Sequence, residues 1–318
     1  MKTVILLIFI IAIVLISYFI SQGSRKPQCY GLYMGQDISS DQIEKISKRY
    51  GEKPCIILTF VGWSDRPFKS MLSTLNSIKK AGAIPMITLE PWLFPSKQPI
   101  SIENISKNKE EKTLREFATI LQQYDSPIFL RFAHEMNGNW YPWSGYQNKK
   151  QTKTYINAWR KVHETLTKYS GNTKISWVWS INAEDLPLEK WNEPKNYYPG
   201  DEYVNIIGID GYNFKKRSFE SIFKKQIEYL RNNFKEKTIF ITETASSNAE
   251  VNRAKWIKDF FYKFSRKYSY IPIFIWFDIN KEKNWNLCSD QTSVDAFNSG
   301  LKRLIPKEPR TLLEEEKK

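Results

Sequence analysis

Histidine is nearly absent: the 318 residues hold two, His134 and His163. Cysteine is almost as scarce, with three residues at Cys29, Cys55 and Cys288 and no C-x-x-C pair. So few soft ligands exclude a Cys/His zinc site and a scaffold built on disulfides. A G-x-S-x-G elbow, a Walker loop and a strand running into G-x-G-x-x-G are also missing, so serine-hydrolase, P-loop and dinucleotide chemistries lack their supports. No cofactor and no metal are implied. Acidic residues are the minority, 34 against 48 lysines and arginines, for a formal charge of +14. The excess lies on helical faces among acidic residues, as at Lys224, Lys255 and Lys263, and no RNA- or DNA-binding motif accompanies it. It reads as a solvated basic surface and excludes nucleic acid as the partner.

Long apolar runs are missing too, with one exception. Val4 to Ile20 carries no charge over about 17 residues, the lower limit for crossing a bilayer. No A-x-A-like cleavage site follows it. Residues 1–22 therefore read as a membrane anchor, with a cleaved signal peptide as the rival. Either places the remainder outside the cytoplasm, attached to the cell membrane or secreted. Residues 23–28 form a polar linker, 29–306 one domain and 307–318 a charged tail. Cys29 and Cys55 open the first two expected strands. If these are parallel neighbours a bridge can form, and two free thiols are the alternative.

What is present is a regular alternation. Apolar runs rich in β-branched and aromatic residues begin at Tyr30, Cys55, Ile84, Pro127, Ile175, Val204, Thr238 and Ile271, as buried parallel strands do. Amphipathic stripes lie between most of them. Leu114, Phe117, Ala118 and Leu121 follow i, i+3, i+4, i+7 spacing, as do Tyr155, Ala158, Trp159, Val162 and Leu166. After the fifth run, "EDLPLEKWNEPKNYYPGDEY" is broken by Pro and Gly and reads as loop. Eight β/α units over this length predict an α/β fold, a (β/α)8 TIM barrel preceded by a single hydrophobic helix.

Active sites of such barrels lie at the C-terminal ends of the strands, and polar residues collect there. The third strand ends in Glu90 and Trp92, the fourth in His134 and Glu135, and the fifth near Trp179. The sixth ends in Asp210 and Tyr212, the seventh in Glu243, and the eighth in Trp276 and Asp278. Alternation groups Arg131 with Glu135, and Ile239 and Ile241 with Glu243. If both faces point inward, two carboxyl groups meet over the barrel mouth. One protonated and one ionised carboxyl group flanking a cleft are what glycoside hydrolysis needs. The bland alternative makes each glutamate a salt-bridge partner of Arg131. Trp63, Trp92, Trp140, Trp143, Trp179, Trp276 and Trp285 occupy the same loops, and a flat indole suits the C–H face of a sugar ring.

"RFAHEMNGNWYPWSG", "NYYPGDEYVNIIGIDGYN" and "IFITETAS" resemble, in that order, three motifs of glycoside hydrolase family 26, best known for β-mannanases. The resemblance covers nearly the whole chain after the hydrophobic segment. It implies a retaining double displacement with Glu135 as acid/base and Glu243 as nucleophile. His134 would touch the sugar, Tyr212 would hold the nucleophile, Trp276 would floor the subsite and Arg131 would support the carboxylates. Asn205, where the family often has Asp, and the "Trp-Tyr-Pro-Trp" run depart from its pattern. The implied partner is a polysaccharide, most simply β-1,4-mannan, acted on by a monomeric catalytic domain. β-Glucan, β-xylan or processing of a cell-surface polysaccharide are alternatives, and a glycan-binding protein without turnover is the alternative of another class.

Overall fold

In a computed structural model of the chain, the described residues are 27–304, apart from 37, 125, 173 and 249–251. The expected N-terminal helix and the charged tail lie outside them. Among the described residues, no helix is long and apolar enough to cross a membrane.

All eight expected strands form. They are β1 (Cys29–Tyr33), β2 (Ile56–Val61), β3 (Ile84–Leu89), β4 (Ile128–Phe132), β5 (Ile175–Asn182), β6 (Ile206–Asn213), β7 (Thr238–Ser246) and β8 (Ile273–Phe277). Each pairs in parallel with its sequence neighbours, and β8 pairs with β1 to close the barrel. The helices α1 (Ser40–Tyr50), α2 (Asp65–Lys80), α3 (Ile102–Ser106), α4 (Glu111–Gln123), α5 (Thr152–Ser170), α6 (Phe219–Asn233), α7 (Arg253–Arg266) and α8 (Gln291–Leu301) follow the strands. Between β5 and β6 there are only three short 3-10 turns, as the Pro- and Gly-broken segment predicts.

The apolar stripes are buried as expected, Leu114, Phe117, Ala118 and Leu121 among them. On α7, Phe260 and Phe264 pack edge-on against Phe274 of β8. Inside the barrel, Phe129 of β4 meets Phe240 of β7 with ring centroids 5.6 Å apart. Those strands are not neighbours, so the contact crosses the interior. Above this layer the interior turns polar. Ser180 and Thr242 bond at 2.9 Å, and Gly208 leaves them room: a Cβ there would stand 2.0 Å from the Ser180 hydroxyl oxygen.

Cys29 and Cys55 form a disulfide, with Cα atoms 6.1 Å apart. It ties the entry of β1 to that of β2. The bridge closes a loop of sequence separation 26, so removing it in Cys55→Ser is expected to lower stability by roughly 3–4 kcal/mol on a chain-entropy argument. Denaturant titration of the variant against the oxidised wild type checks this.

Candidate active site

The interior chemistry is organised by Arg131, which is fully buried on β4. Its Nε donates to Thr88 Oγ1 at 2.8 Å, and its Nη1 forks onto both oxygens of Asp210 at 2.9 and 3.0 Å. Its Nη2 donates to Glu243 Oε1. Burial opposes its charge, but the Asp210 and Glu243 carboxylates hold the guanidinium firmly protonated. Thr242 adds a 2.6 Å bond to Asp210 Oδ1. A buried cation is tolerable only when paired and bonded in this way.

Glu243 reaches Arg131 through a break in regularity. Phe240 and Thr242 face the interior, so strict alternation would send Glu243 outward with Ile239 and Ile241. The register between β6 and β7 slips at that point: Ile209 pairs with Ile241, but Asp210 pairs with Glu243. This bulge turns Glu243 into the mouth, and bulges commonly re-aim side chains in this manner. The expected shared face of Ile239, Ile241 and Glu243 is thus corrected, although Glu243 does point inward. Tyr212 donates its hydroxyl hydrogen to Glu243 Oε2, so both oxygens of this carboxylate have donors.

Glu135 also arrives by a route other than alternation. Strand β4 stops at Phe132, and Ala133 and Glu135 take left-handed backbone conformations with φ of 45° and 53°. Such angles are costly for non-glycine residues and collect at functional sites. They are held by neighbours: Ala133 N–H donates to Leu89 O at 3.2 Å and Glu135 N–H to Ser180 O at 3.0 Å. The Glu135 carboxylate accepts from Trp140 Nε1 at 2.9 Å. Burial first, then the negative charges of Asp210 and Glu243, push its carboxyl well above the usual glutamate range. Gly138 makes the Trp140 pose feasible, because a Cβ there would lie 2.6 Å from the indole ring. Asn137 ties this loop to the next one through Asn182 O at 3.0 Å and Asp185 Oδ1 at 2.8 Å.

His134 is buried, and burial together with Arg131 pushes its imidazole well below the usual range, so it is neutral. Its Nε2 lies 3.1 Å from the Tyr141 hydroxyl and 3.9 Å from Glu243 Oε1. His134, Asp210 and Glu243 bring their ligand-type atoms within 4.8 Å of one another. The guanidinium of Arg131, bonded to both carboxylates, supplies the positive charge at that cluster.

Over these groups opens a cleft of about 710 Å³. Glu135 and Glu243 lie in its wall with Tyr33, Phe60, Glu90, Trp92, Trp140, Tyr141, Tyr212, Phe277 and Trp285. A second cavity of about 580 Å³ adjoins it and shares Trp92, Lys97 and Trp140.

The family model for glycosyl hydrolase family 26 matches residues 103–302, more than half of the chain. The chain belongs to that family. Endoglucanase H of Acetivibrio thermocellus is 29% identical over 281 residues, 85% of this chain and 30% of that protein. A mannan endo-1,4-beta-mannosidase of Bacillus subtilis is 27% identical over 213 residues, 58% of this chain and 57% of that one. The chain thus spans less than two thirds of the length of either relative. Among solved structures, the catalytic domain of a family 26 endo-beta-1,4-mannanase from Bacillus sp. JAMB-750 superposes with a TM-score of 0.72. The superposition covers 93% of this chain and 91% of that one, at 16% identity. It corroborates the barrel.

Within this family 26 barrel, the expected site residues divide. Arg131, His134, Glu135, Tyr212 and Glu243 do come together. Trp92, Trp140 and Trp285 line the cleft, and Trp140 is 43% exposed. Four tryptophans do not line it. Trp63 is buried with its Nε1 on Glu110 Oε2 at 3.2 Å. Trp143 is buried behind the wall, stacked on Tyr141 and bonded to His134 O at 2.7 Å. Trp179 faces outward, packed against Tyr198 and Phe234. Trp276, expected as the subsite floor, faces the helices, against Trp256 and Phe297. Phe277 takes the inward position and meets Tyr33 at 4.4 Å between ring centroids. His134 is likewise one layer beneath the wall rather than on it, and Tyr141 stands in front. Asp278 is also structural, bonded by Tyr50 at 2.5 Å and by the Leu287 N–H at 2.7 Å.

Tyr33, Phe60 and Phe277 line the cleft without having been expected there. Strand parity could have found Phe277, since Phe274 and Trp276 share the face that meets α7. Parity could likewise have rejected Trp179, because Ser180 points inward.

The raised carboxyl of Glu135 carries a cost. The unfolded chain releases this proton near 4.5, whereas the folded chain retains it to a higher pH. As pH rises above 4.5 the folded state therefore loses stability until its own carboxyl titrates. Glu135→Gln escapes that loss. The variant is expected to match the wild type at pH 4 and to melt at a higher temperature at neutral pH, as parallel thermal melts would show.

Proposed function

We propose that this chain is a retaining glycoside hydrolase that cuts β-linked polysaccharide internally, with β-1,4-mannan as its first substrate. The observation that carries this reading is the contrast between two carboxyl groups in one cleft. Glu135 is bonded by Trp140 and not by the cation, and burial raises its carboxyl so that it keeps a proton, as a general acid requires. Glu243 sits against Arg131 with Tyr212 on its other oxygen, as an oriented nucleophile requires.

In this mechanism Glu135 protonates the glycosidic oxygen while Glu243 attacks the anomeric carbon. The bond to the leaving sugar breaks and a covalent glycosyl-enzyme forms. Glu135, now ionised, takes a proton from water, whose oxygen displaces Glu243. Arg131 stabilises the Glu243 carboxylate as it departs. Trp92, Trp140 and Trp285 offer faces to the sugar rings. The adjoining cavity beyond Trp92 and Trp140 gives room for further sugar units, which favours cleavage within a chain.

The name of the Bacillus subtilis relative supports mannan. A second reading, β-glucan, is favoured by the likeness to Endoglucanase H, which extends over 85% of the chain. The Cys29–Cys55 disulfide fits an oxidising compartment, so we place the enzyme outside the cytoplasm, held at the membrane by residues 1–22.

Incubated with mannan, mixed-linkage β-glucan and xylan, the protein is expected to release reducing ends from mannan. Proton NMR should show the β-anomer first; initial α-anomer would overturn the retaining mechanism. Glu243→Ala is expected to lower kcat on the order of 10⁴-fold or more with the fold intact. Polymer binding by the wild type without any released sugar would establish the glycan-binding alternative instead.

A further inference from the structure

We propose that Glu90 is a neutral hydrogen-bond donor that reads one hydroxyl of the bound sugar and so sets which sugar epimer the cleft prefers. This rests on the glycoside hydrolase reading above and deepens it.

Glu90 follows the last residue of β3, and its N–H is fixed on Val61 O at 2.9 Å. Its side chain is buried, yet it forms part of the cleft wall. One oxygen, Oε2, accepts from Trp92 Nε1 at 3.1 Å. Among the described residues, no basic side chain pairs with the carboxyl group and nothing bonds its second oxygen. Arg131 has its donors on Thr88, Asp210 and Glu243.

Asp278 shows what a structural acid looks like in this fold. It is equally buried at the end of β8, but Tyr50 and the Leu287 N–H occupy both oxygens. Glu90 is half satisfied, and its free half faces the place where ligand arrives.

A buried carboxyl without a cation keeps its proton, because the charged form would be too poorly solvated. Burial pushes Glu90 up to about 8; the Trp92 N–H pulls the other way, Glu243 adds to the rise, and Lys281 and Arg131 oppose it. Tyr33 and Tyr141 are the other titratable groups facing it. At neutral pH the group is chiefly –COOH, whose O–H needs an acceptor. A sugar hydroxyl laid along Trp92 supplies one. Sites that bond a substrate hydroxyl discriminate strongly against ligands that lack it in place. The ligand class is therefore an uncharged β-linked sugar with a hydroxyl of defined configuration at this wall.

Glu90→Leu and Glu90→Gln test the assignment on mannan and on mixed-linkage β-glucan. Loss of one buried hydrogen bond predicts a roughly ten- to hundredfold fall in kcat/KM of the leucine variant on the better polymer. Its fall on the poorer polymer should be smaller, so the preference narrows. Glutamine keeps a neutral donor and should retain kcat/KM within about threefold. The wild-type profile should include, near pH 8, an ionisation that belongs to Glu90. The glutamine variant should lack that contribution.

An unchanged polymer preference in a folded Glu90→Leu overturns the proposal. So does an alkaline limb in Glu90→Gln identical to the wild type, which decides the matter if the leucine variant does not fold. If the wild type hydrolyses neither polymer, the glycoside hydrolase reading fails first and this proposal falls with it.

Discussion

One guanidinium, that of Arg131, holds the centre of this barrel together. It is buried without water access and is satisfied on all sides by Thr88, Asp210 and Glu243. Its partners come from β3, β6 and β7, so one side chain from β4 fixes the relative positions of four strands at the level of the site. A cation placed there is expensive unless every one of these bonds is made. The polar layer of Ser180, Thr242 and Asp210 follows from that requirement. So does Gly208, whose missing side chain lets the layer close.

The same cation orders the acids around it. Four acidic groups, Glu90, Glu135, Asp210 and Glu243, crowd the mouth, and they cannot all be ionised around a single positive charge. Asp210 and Glu243 touch Arg131 directly. Glu135 and Glu90 each have an indole N–H instead, from Trp140 and Trp92. An indole orients a carboxyl group but does not neutralise it. Asp210 and Glu243 thus bond the cation while Glu135 and Glu90 do not, so the acids of one mouth meet different surroundings; burial raises Asp210 to about 8 even against the pull of Arg131.

How much of this was legible in the sequence depends on whether a feature follows periodicity. The eight strands, the helical stripes and the closed barrel were legible, because burial on both faces demands apolar runs of the observed kind. Glu135 and Glu243 were legible as a pair from their place at strand ends. The way each reaches the cleft was not. A one-residue bulge at Thr242 and two left-handed residues at the end of β4 break the period, and neither leaves a glycine or proline to mark it. The tryptophans were misassigned for a related reason. Trp63, Trp179 and Trp276 lie near strand ends, but a strand end has an outward face as well as an inward one. Outward indoles fill the space between sheet and helices. Only their parity against inward residues such as Ser180 and Phe277 tells the two apart.

Those outward tryptophans still bear on the site. Trp276 packs between α7 and α8 and donates its Nε1 to the backbone oxygen of Trp285 at 3.4 Å, at the edge of hydrogen-bonding range. Arg253 at the start of α7 holds the same loop through Asn284 O at 3.1 Å and Ser289 Oγ at 2.7 Å. Trp285 then meets Tyr212, ring centroids 5.2 Å apart, and Tyr212 donates to Glu243. A packed chain therefore runs from the helical layer to Glu243. An aromatic wall of a cleft has to hold its angle against solvent, and loops alone do that poorly. Here the residue expected to touch the sugar instead braces the one that lines the cleft, so the indole at position 276 serves the site from behind it.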